Sequence, residues 1–281
     1  MIIELPSDRP ALMGILNVTP DSFSEQGLNF RTQDAIDAGL RMVLDEGADL
    51  IDVGGESTRP GAAPVSEEEE IRRVVPVIEA LAAMPLSIPI SIDTRKPAVA
   101  KAALSAGAKI VNDVTALEDP EMQAVCDQGW ATVCLMHMKG APQTMQANPV
   151  YEDVVSEVLA FLIERAGIVQ NAGITAARIW IDPGIGFGKT PMHNLELLHN
   201  LSRFVETGFP VLIGVSRKSS IGVYAGGAPV DQRLPGTLAA QVLAQHAGVR
   251  IIRAHDVKAA RQAIDVAAAI LKPSSFSKRP A

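Results

Sequence analysis

The chain has 281 residues, is 47% hydrophobic and carries 25 Lys+Arg against 32 Asp+Glu, a formal net charge of −7. That apolar content excludes a disordered chain, and the acidic balance argues against a nucleic-acid partner. At roughly 150 residues per domain the length allows one large domain or two small ones, and an α/β barrel alone takes about 250. The two cysteines, Cys126 and Cys134, form no C-x-x-C pair, which suits a reducing compartment and excludes a cysteine-built zinc site. Met1–Pro10 lacks the basic-then-apolar pattern of a signal peptide, and no run reaches the about 18 apolar residues that span a membrane. The expectation is a cytoplasmic globular protein with no membrane partner.

Short apolar runs recur along the chain: Leu12–Leu16, Leu50–Val53, Ile88–Ile92, Lys109–Val114, Ala131–Met136, Arg178–Ile181, Pro210–Val215 and Arg250–Arg253. Several are β-branched and nearly continuous, as strands buried on both faces should be. Amphipathic stretches separate them. Ser66 with Glu69 reads as a capping box, opening a helix striped by Ile71, Val74, Val75, Ile78 and Leu81. The acidic run Glu67–Glu70 is then a solvated helix start, favoured by the macrodipole. Asp119-Pro120 reads as N-cap and first helical residue, and Val154, Val155, Val158, Leu159, Leu162 and Ile163 stripe another helix.

Eight strand–helix alternations without a Pro/Ser/Gly linker predict one domain over residues 1–281. Its fold class is α/β, a (β/α)8 TIM barrel with a core of about residues 12–271 and a flexible tail at 272–281. A doubly wound open sheet is the rival. Helix-to-strand connections are short (46–49, 106–108), whereas 17–32, 54–65, 137–150 and 216–234 are long, polar and all follow strand ends. In a barrel those loops share one face, which is where the active site is expected.

Two tempting signals fail. The segment 184–190 ends in G-K-T, but Pro183 stands where a phosphate loop needs its first glycine. The five histidines make no H-x-x-x-H pair, and His193, His199 and His246 lie inside helix patterns. What remains is a set of polar strand ends: Asn17, Asp93, Asn112-Asp113, Met136-His137, Asp182, Ser216–Ser219 and Arg253-Ala254-His255. Asp113 and Asp256 read as turn or cap residues. Asp93 and Asp182, in an apolar barrel mouth, need a cationic or donor-rich partner. That is either Lys218 or a ligand, such as the guanidine-like edge of a heterocycle that fits a carboxylate bidentately. Arg59, Arg253 and His255, with Thr58 and Asn17, form a second group suited to phosphate or pyrophosphate near the rim. A donor-rich ring held deep and an anion held near the rim imply group transfer with an anionic leaving group.

These residues carry a resemblance. Met13–Ser24 (MGILNVTPDSFS) resembles the first signature of the dihydropteroate synthase family of pterin-binding enzymes, and Asp52–Gly61 (DVGGESTRPG) the second. Ser91–Thr94, Asn112-Asp113, Leu135–His137, Asp182–Lys189, Ser216–Ser219 and Arg253–Asp256 follow in the family's order, covering nearly the whole chain. Where the family pattern has Asp-Gly-Gly this chain has Glu25-Gln26-Gly27, and Ala254 stands in place of a valine.

The resemblance implies a transferase that joins 6-hydroxymethyl-7,8-dihydropterin pyrophosphate to p-aminobenzoate, giving 7,8-dihydropteroate and pyrophosphate in folate synthesis. It implies that Asp93, Asn112, Met136, Asp182 and Lys218 hold the pterin. Asn17 binds Mg2+ and, with Thr58, Arg59, Arg253 and His255, the pyrophosphate. Phe23, Thr58, Pro60, Phe187, Lys218 and Ser219 shape the p-aminobenzoate pocket, where sulfonamides bind in this family. Asp93, Lys218, Arg253 and His255 are the expected catalytic residues, in a dissociative reaction within a homodimer. Two other readings are a folate-dependent corrinoid methyltransferase and a non-catalytic pterin-binding paralogue. The first has no need of the Ser-Thr-Arg-Pro loop or of the Arg253/His255 pair, and both are present.

Overall fold

The computed structural model describes residues 2–19, 28–57, 63–85, 88–141 and 144–273, with the backbone alone at 28–31. Strand β1 (Ala11–Asn17) leads to helix α1 (Leu28–Leu44), then β2 (Leu50–Gly54), α2 (Glu67–Ala82), β3 (Ile90–Asp93) and α3 (Pro97–Ala106). There follow β4 (Ile110–Asp113), α4 (Pro120–Gln128), β5 (Thr132–Met136), α5 (Val154–Asn171), β6 (Ile179–Asp182), α6 (Pro191–His199) and α7 (Leu201–Val205). The chain continues through β7 (Leu212–Ile213), α8 (Ser219–Tyr224), α9 (Leu234–His246), β8 (Ile251–Ala254) and α10 (Val257–Leu271).

Every expected apolar run overlaps a strand, and five of the strands run on into a neighbouring residue. Pro210–Val215 shrinks to two paired residues, since Pro210 has no N–H to donate and Gly214 offers no side chain to pack.

All strand pairs are parallel, in the order β6-β5-β4-β3-β2-β1-β8-β7. An open doubly wound sheet would leave β6 and β7 as free edges. Here they meet: Ile181 bridges Val211, and the Ile181 N–H donates to the Pro210 carbonyl at 3.0 Å. The rival is excluded, and the fold is a (β/α)8 barrel.

Alternation along the strands then sorts the side chains. Leu12, Leu16, Ile51, Val53, Ile90, Ile92, Val111, Val133, Ile181 and Ile252 face the helices. The opposite parity lines the interior, where Met13, Leu50, Ile110, Cys134, Trp180, Leu212 and Ile251 pack with Ile3 of the N-terminal segment into a dry layer. One step further along, and at the end of β3, the interior becomes polar: Asp52, Asp93, Asn112, Asp182 and Arg253.

Two caps form as the sequence predicts, and two differ. Asp119 Oδ1 accepts from the Glu121 N–H at 2.8 Å, with Pro120 as the first helical residue. Asp113 accepts from the Thr115 and Leu117 N–H groups at 2.8 and 3.0 Å, holding the turn after β4. At α2, Ser66 Oγ accepts from Glu69 N–H at 3.2 Å, but the Glu69 carboxylate turns to Arg73 at 2.8 Å, so only half the capping box forms. Asp256 occupies the N-cap position of α10 without bonding its N–H groups; its carboxylate takes the Arg217 guanidinium instead, a charged partner outcompeting a backbone amide.

The expected tail beyond 273 lies outside the described residues. Among the described residues no helix is long and apolar enough to cross a membrane.

Candidate active site

The polar layer sits where the strand C-termini meet the long loops. Asp52, fully buried in β2, accepts through Oδ2 from Arg253 Nε at 2.6 Å and from Asn112 Nδ2 at 3.1 Å. The same guanidinium donates from Nη2 to Asp93 Oδ2 at 2.7 Å. Arg253 therefore bridges two strands' carboxylates from a third. Burial works against its charge, but Asp52 and then Asp93 outweigh it and raise its pKa.

Asp182 stands on the far side of the ring, its Oδ1 accepting from the Gly184 N–H at 2.7 Å. Burial pushes the Asp182 carboxyl up to about 6 despite that bond, and pushes Asp93 up to about 7 against the pull of Arg253. These carboxylates are poised near neutrality because water is excluded from them.

Lys218, at the start of α8, holds its Nζ 4.1 Å from the centre of the Phe187 ring. Burial, followed by the repulsion of Arg253, lowers its pKa to about 8. The partner that Asp93 required is thus Arg253 and not Lys218. The sequence placed Arg253 with the rim anion group, but its parity on β8 turns the side chain into the barrel, where its length reaches two deep carboxylates.

His255 lies at the rim, its backbone N–H and ring Nδ1 at 3.2 and 3.0 Å from Ser216 Oγ. Met136 is buried at the end of β5 and Asn112 at the end of β4, both with inward parity. A side-chain carbon added to Gly54 would lie 3.7 Å from Asn17 Oδ1 and 3.9 Å from Asp93 Oδ2, so both oxygens stand beside this glycine. Ser219 is exposed at the first residue of α8. Phe23, Thr58, Arg59 and Pro60 lie outside the described residues, as do Glu25–Gly27.

His137, one residue beyond Met136, has the opposite parity and leaves the site. Its ring packs edge-on against Phe161 and its Nδ1 lies 2.9 Å from Lys189 Nζ. That lysine, from the G-K-T that imitates a phosphate loop, is buried and also donates to the carbonyls of His137 and Phe187 at 3.2 and 3.0 Å. It ties the loops after β5 and β6 together. Gly184 permits their approach, since a side-chain carbon there would fall 1.9 Å from the His137 carbonyl oxygen and its φ is +69°.

The barrel mouth thus holds a ring of acceptors around one guanidinium, with an ammonium and a histidine at the rim. A model of the pterin binding enzyme family matches residues 13–255. The chain belongs to the pterin-binding enzyme family, among its dihydropteroate synthases.

The dihydropteroate synthase of Haemophilus influenzae is 47% identical over 257 residues, 92% of each chain. The structure of Xanthomonas albilineans dihydropteroate synthase with 4-aminobenzoic acid superposes with a TM-score of 0.87 at 47% identity, covering 97% of this chain and 95% of that one. A second structure of that enzyme, in complex with 7,8-dihydropteroate, gives 0.85 at 44% identity over 98% and 95%.

In this pterin-binding enzyme, sequence reading passed over Asp52 as a site residue, although it stands inside the second signature. A signal was present: an aspartate at the centre of an otherwise apolar strand, sharing parity with Leu50 and Gly54, has to lie in the interior.

Proposed function

We propose that the chain condenses 6-hydroxymethyl-7,8-dihydropterin pyrophosphate with p-aminobenzoate, forming 7,8-dihydropteroate and pyrophosphate by a dissociative route. The observation that carries this is Arg253, clasped by Asp52 and Asp93 in the barrel mouth with Asn112, Met136 and Asp182 on the same ring. Asn112 and Asp182 accept from the aminopyrimidine edge, Lys218 meets the ring's opposite polar atoms, and Met136 covers a face. Arg253, His255 and Asn17, joined by Thr58 and Arg59, hold the pyrophosphate. Phe187, Lys218 and Ser219, with Phe23, Thr58 and Pro60, hold p-aminobenzoate.

Departure of pyrophosphate leaves positive charge on the exocyclic carbon, which the pterin ring shares and the Asp93 carboxylate stabilises. The aniline nitrogen then attacks that carbon and loses a proton. Water has to be excluded while the cation lives, and the burial that perturbs Asp93 and Asp182 supports such a site.

Mg2+ fits this reading as a cofactor. Among the described residues no three His, Cys, Asp or Glu side chains gather into a cage. A magnesium ion bound mainly through substrate phosphates and water needs only one or two protein oxygens. Asn17 Oδ1, beside Gly54 at the strand ends, suits that part. When bound there, the ion would neutralise charge on the leaving group.

A homodimer is part of the proposal. The outer faces of α9 and α10 form an apolar groove that exposes Leu243, Val266 and Ile270 to 68%, 60% and 71%. A second copy covering this face would remove that surface from water. Residence in the cytoplasm accords with two buried cysteines that form no disulfide.

The test is dihydropteroate formation from the two substrates, with and without Mg2+. Product that depends on the metal supports the reading; no product at saturating substrates sinks it and leaves a pterin-binding paralogue.

A further inference from the structure

Asp52 is the deepest-set carboxylate of the polar ring on β2 and β3. Its register partner on β3 is Ser91, whereas Asp93 pairs with Gly54 one step nearer the mouth. It is fully buried, and its Oδ1 has no hydrogen-bond partner. A buried carboxylate with one idle oxygen costs stability, so packing alone gives no reason to keep it.

What it does is constrain two neighbours. A carboxylate only accepts, so the Asn112 group that faces Asp52 Oδ2 at 3.1 Å has to be the NH2. The Asn112 carbonyl oxygen is thereby the end left for other partners. Without Asp52 the amide could turn over and present donors where the pterin's amino-pyrimidine edge also presents donors. Arg253 is fixed through Nε at 2.6 Å, which leaves its terminal nitrogens for Asp93 and the site.

We propose that Asp52 is a positioning residue for pterin recognition, which touches no substrate and acts by holding Asn112 as an acceptor and Arg253 in its bridge. The inference rests on the functional reading above and adds to it the residue that sets the polarity of the ring-binding edge.

The test compares wild type, Asp52→Asn and the exchange Asp52→Asn/Asn112→Asp by calorimetry with 6-hydroxymethyl-7,8-dihydropterin, alongside steady-state kinetics. Asp52→Asn is expected to weaken pterin affinity by about 10- to 100-fold. The KM for p-aminobenzoate should move less than about threefold, because that ring lies on the Phe187 side. The exchange keeps charge and volume and puts at 112 a carboxylate that can only accept, so affinity should return to within about threefold of wild type.

Unchanged pterin affinity in Asp52→Asn overturns the inference, as does a folded exchange variant that binds no better than the single one. If Asp52→Asn fails to fold, the exchange variant decides alone: binding supports the inference and a folded non-binder refutes it. A wild-type chain that does not bind the pterin overturns the functional reading and this inference with it.

Discussion

Arg253 Nη2 stands 2.7 Å from Asp93 Oδ2, while Nε of the same side chain lies 2.6 Å from Asp52. One cation therefore serves a fully buried carboxylate and a half-buried one. Loss of Arg253 removes both the group proposed to meet the leaving pyrophosphate and the counter-charge of the barrel mouth.

Arg253→Ala is expected to lower kcat by roughly 10²–10³, the range seen when a preorganised donor to developing charge is lost. It should also lower stability by about 3–5 kcal/mol, since two buried carboxylates lose their partner. Rates measured well below the variant's unfolding midpoint separate the two effects. A loss of less than about threefold in kcat would contradict the leaving-group role.

Asp182 makes the site sensitive to pH. Burial raises its carboxyl from 3.8 to about 6, so between those values the folded chain holds a proton that the unfolded chain has released. The sign follows from that difference. Stability falls as pH rises from about 4 to about 6, by on the order of 3 kcal/mol, and recovers on acidification. Thermal melts at stepped pH should show this slope in wild type and a flatter one in Asp182→Asn. Pterin affinity should run the other way and fall below about pH 6, because a protonated Asp182 offers the donor edge one acceptor fewer.

Lys189 predicts a structural effect with a catalytic echo. Its ammonium meets His137 Nδ1 and the carbonyls of His137 and Phe187, three acceptors in a water-excluded pocket. Burial lowers the lysine to about 7, and burial together with Lys189 holds His137 down at about 3, so the ring stays neutral. Lys189→Met should destabilise the chain by about 2–4 kcal/mol in urea titrations by orphaning those acceptors. With Phe187 released, the KM for p-aminobenzoate should rise more than that for the pterin. Equal changes in the two would mean that the lysine does not set the Phe187 loop.

Leu243 and Ile270 stand 68% and 71% exposed on α9 and α10. Ile270→Glu should convert the proposed dimer to a monomer in sedimentation velocity, because it puts a charge into the apolar centre of that contact. Each subunit should keep its helical circular dichroism. A wild-type chain that sediments as a monomer at micromolar concentration would remove the basis for the contact.

Much of the architecture is legible in the sequence. Strand positions followed from β-branched apolar runs, since a parallel barrel buries both faces of each strand and leaves continuous apolar text. Asp119-Pro120 announced a helix start because a side-chain cap and a missing N–H act within four residues. Asp93, Asn112, Met136, Asp182 and Arg253 could be named as candidates that share one end of the barrel because parallel strands deliver their C-termini to it.

The sequence by itself determined the element order, the end of the barrel that carries chemistry, and the family. It did not decide closure, which depends on Ile181 meeting Val211, a contact between consecutive strands that an open sheet would leave at opposite edges. Nor did it decide partners. Asp93 finds Arg253, 160 residues away, rather than Lys218; Asp52 turns out to anchor both Arg253 and Asn112; and His137 leaves the site for Lys189. The reason is geometric. Local rules act over a few residues, whereas the pairing of buried charges is set by strand parity, register and side-chain reach, and those exist only once the barrel has closed.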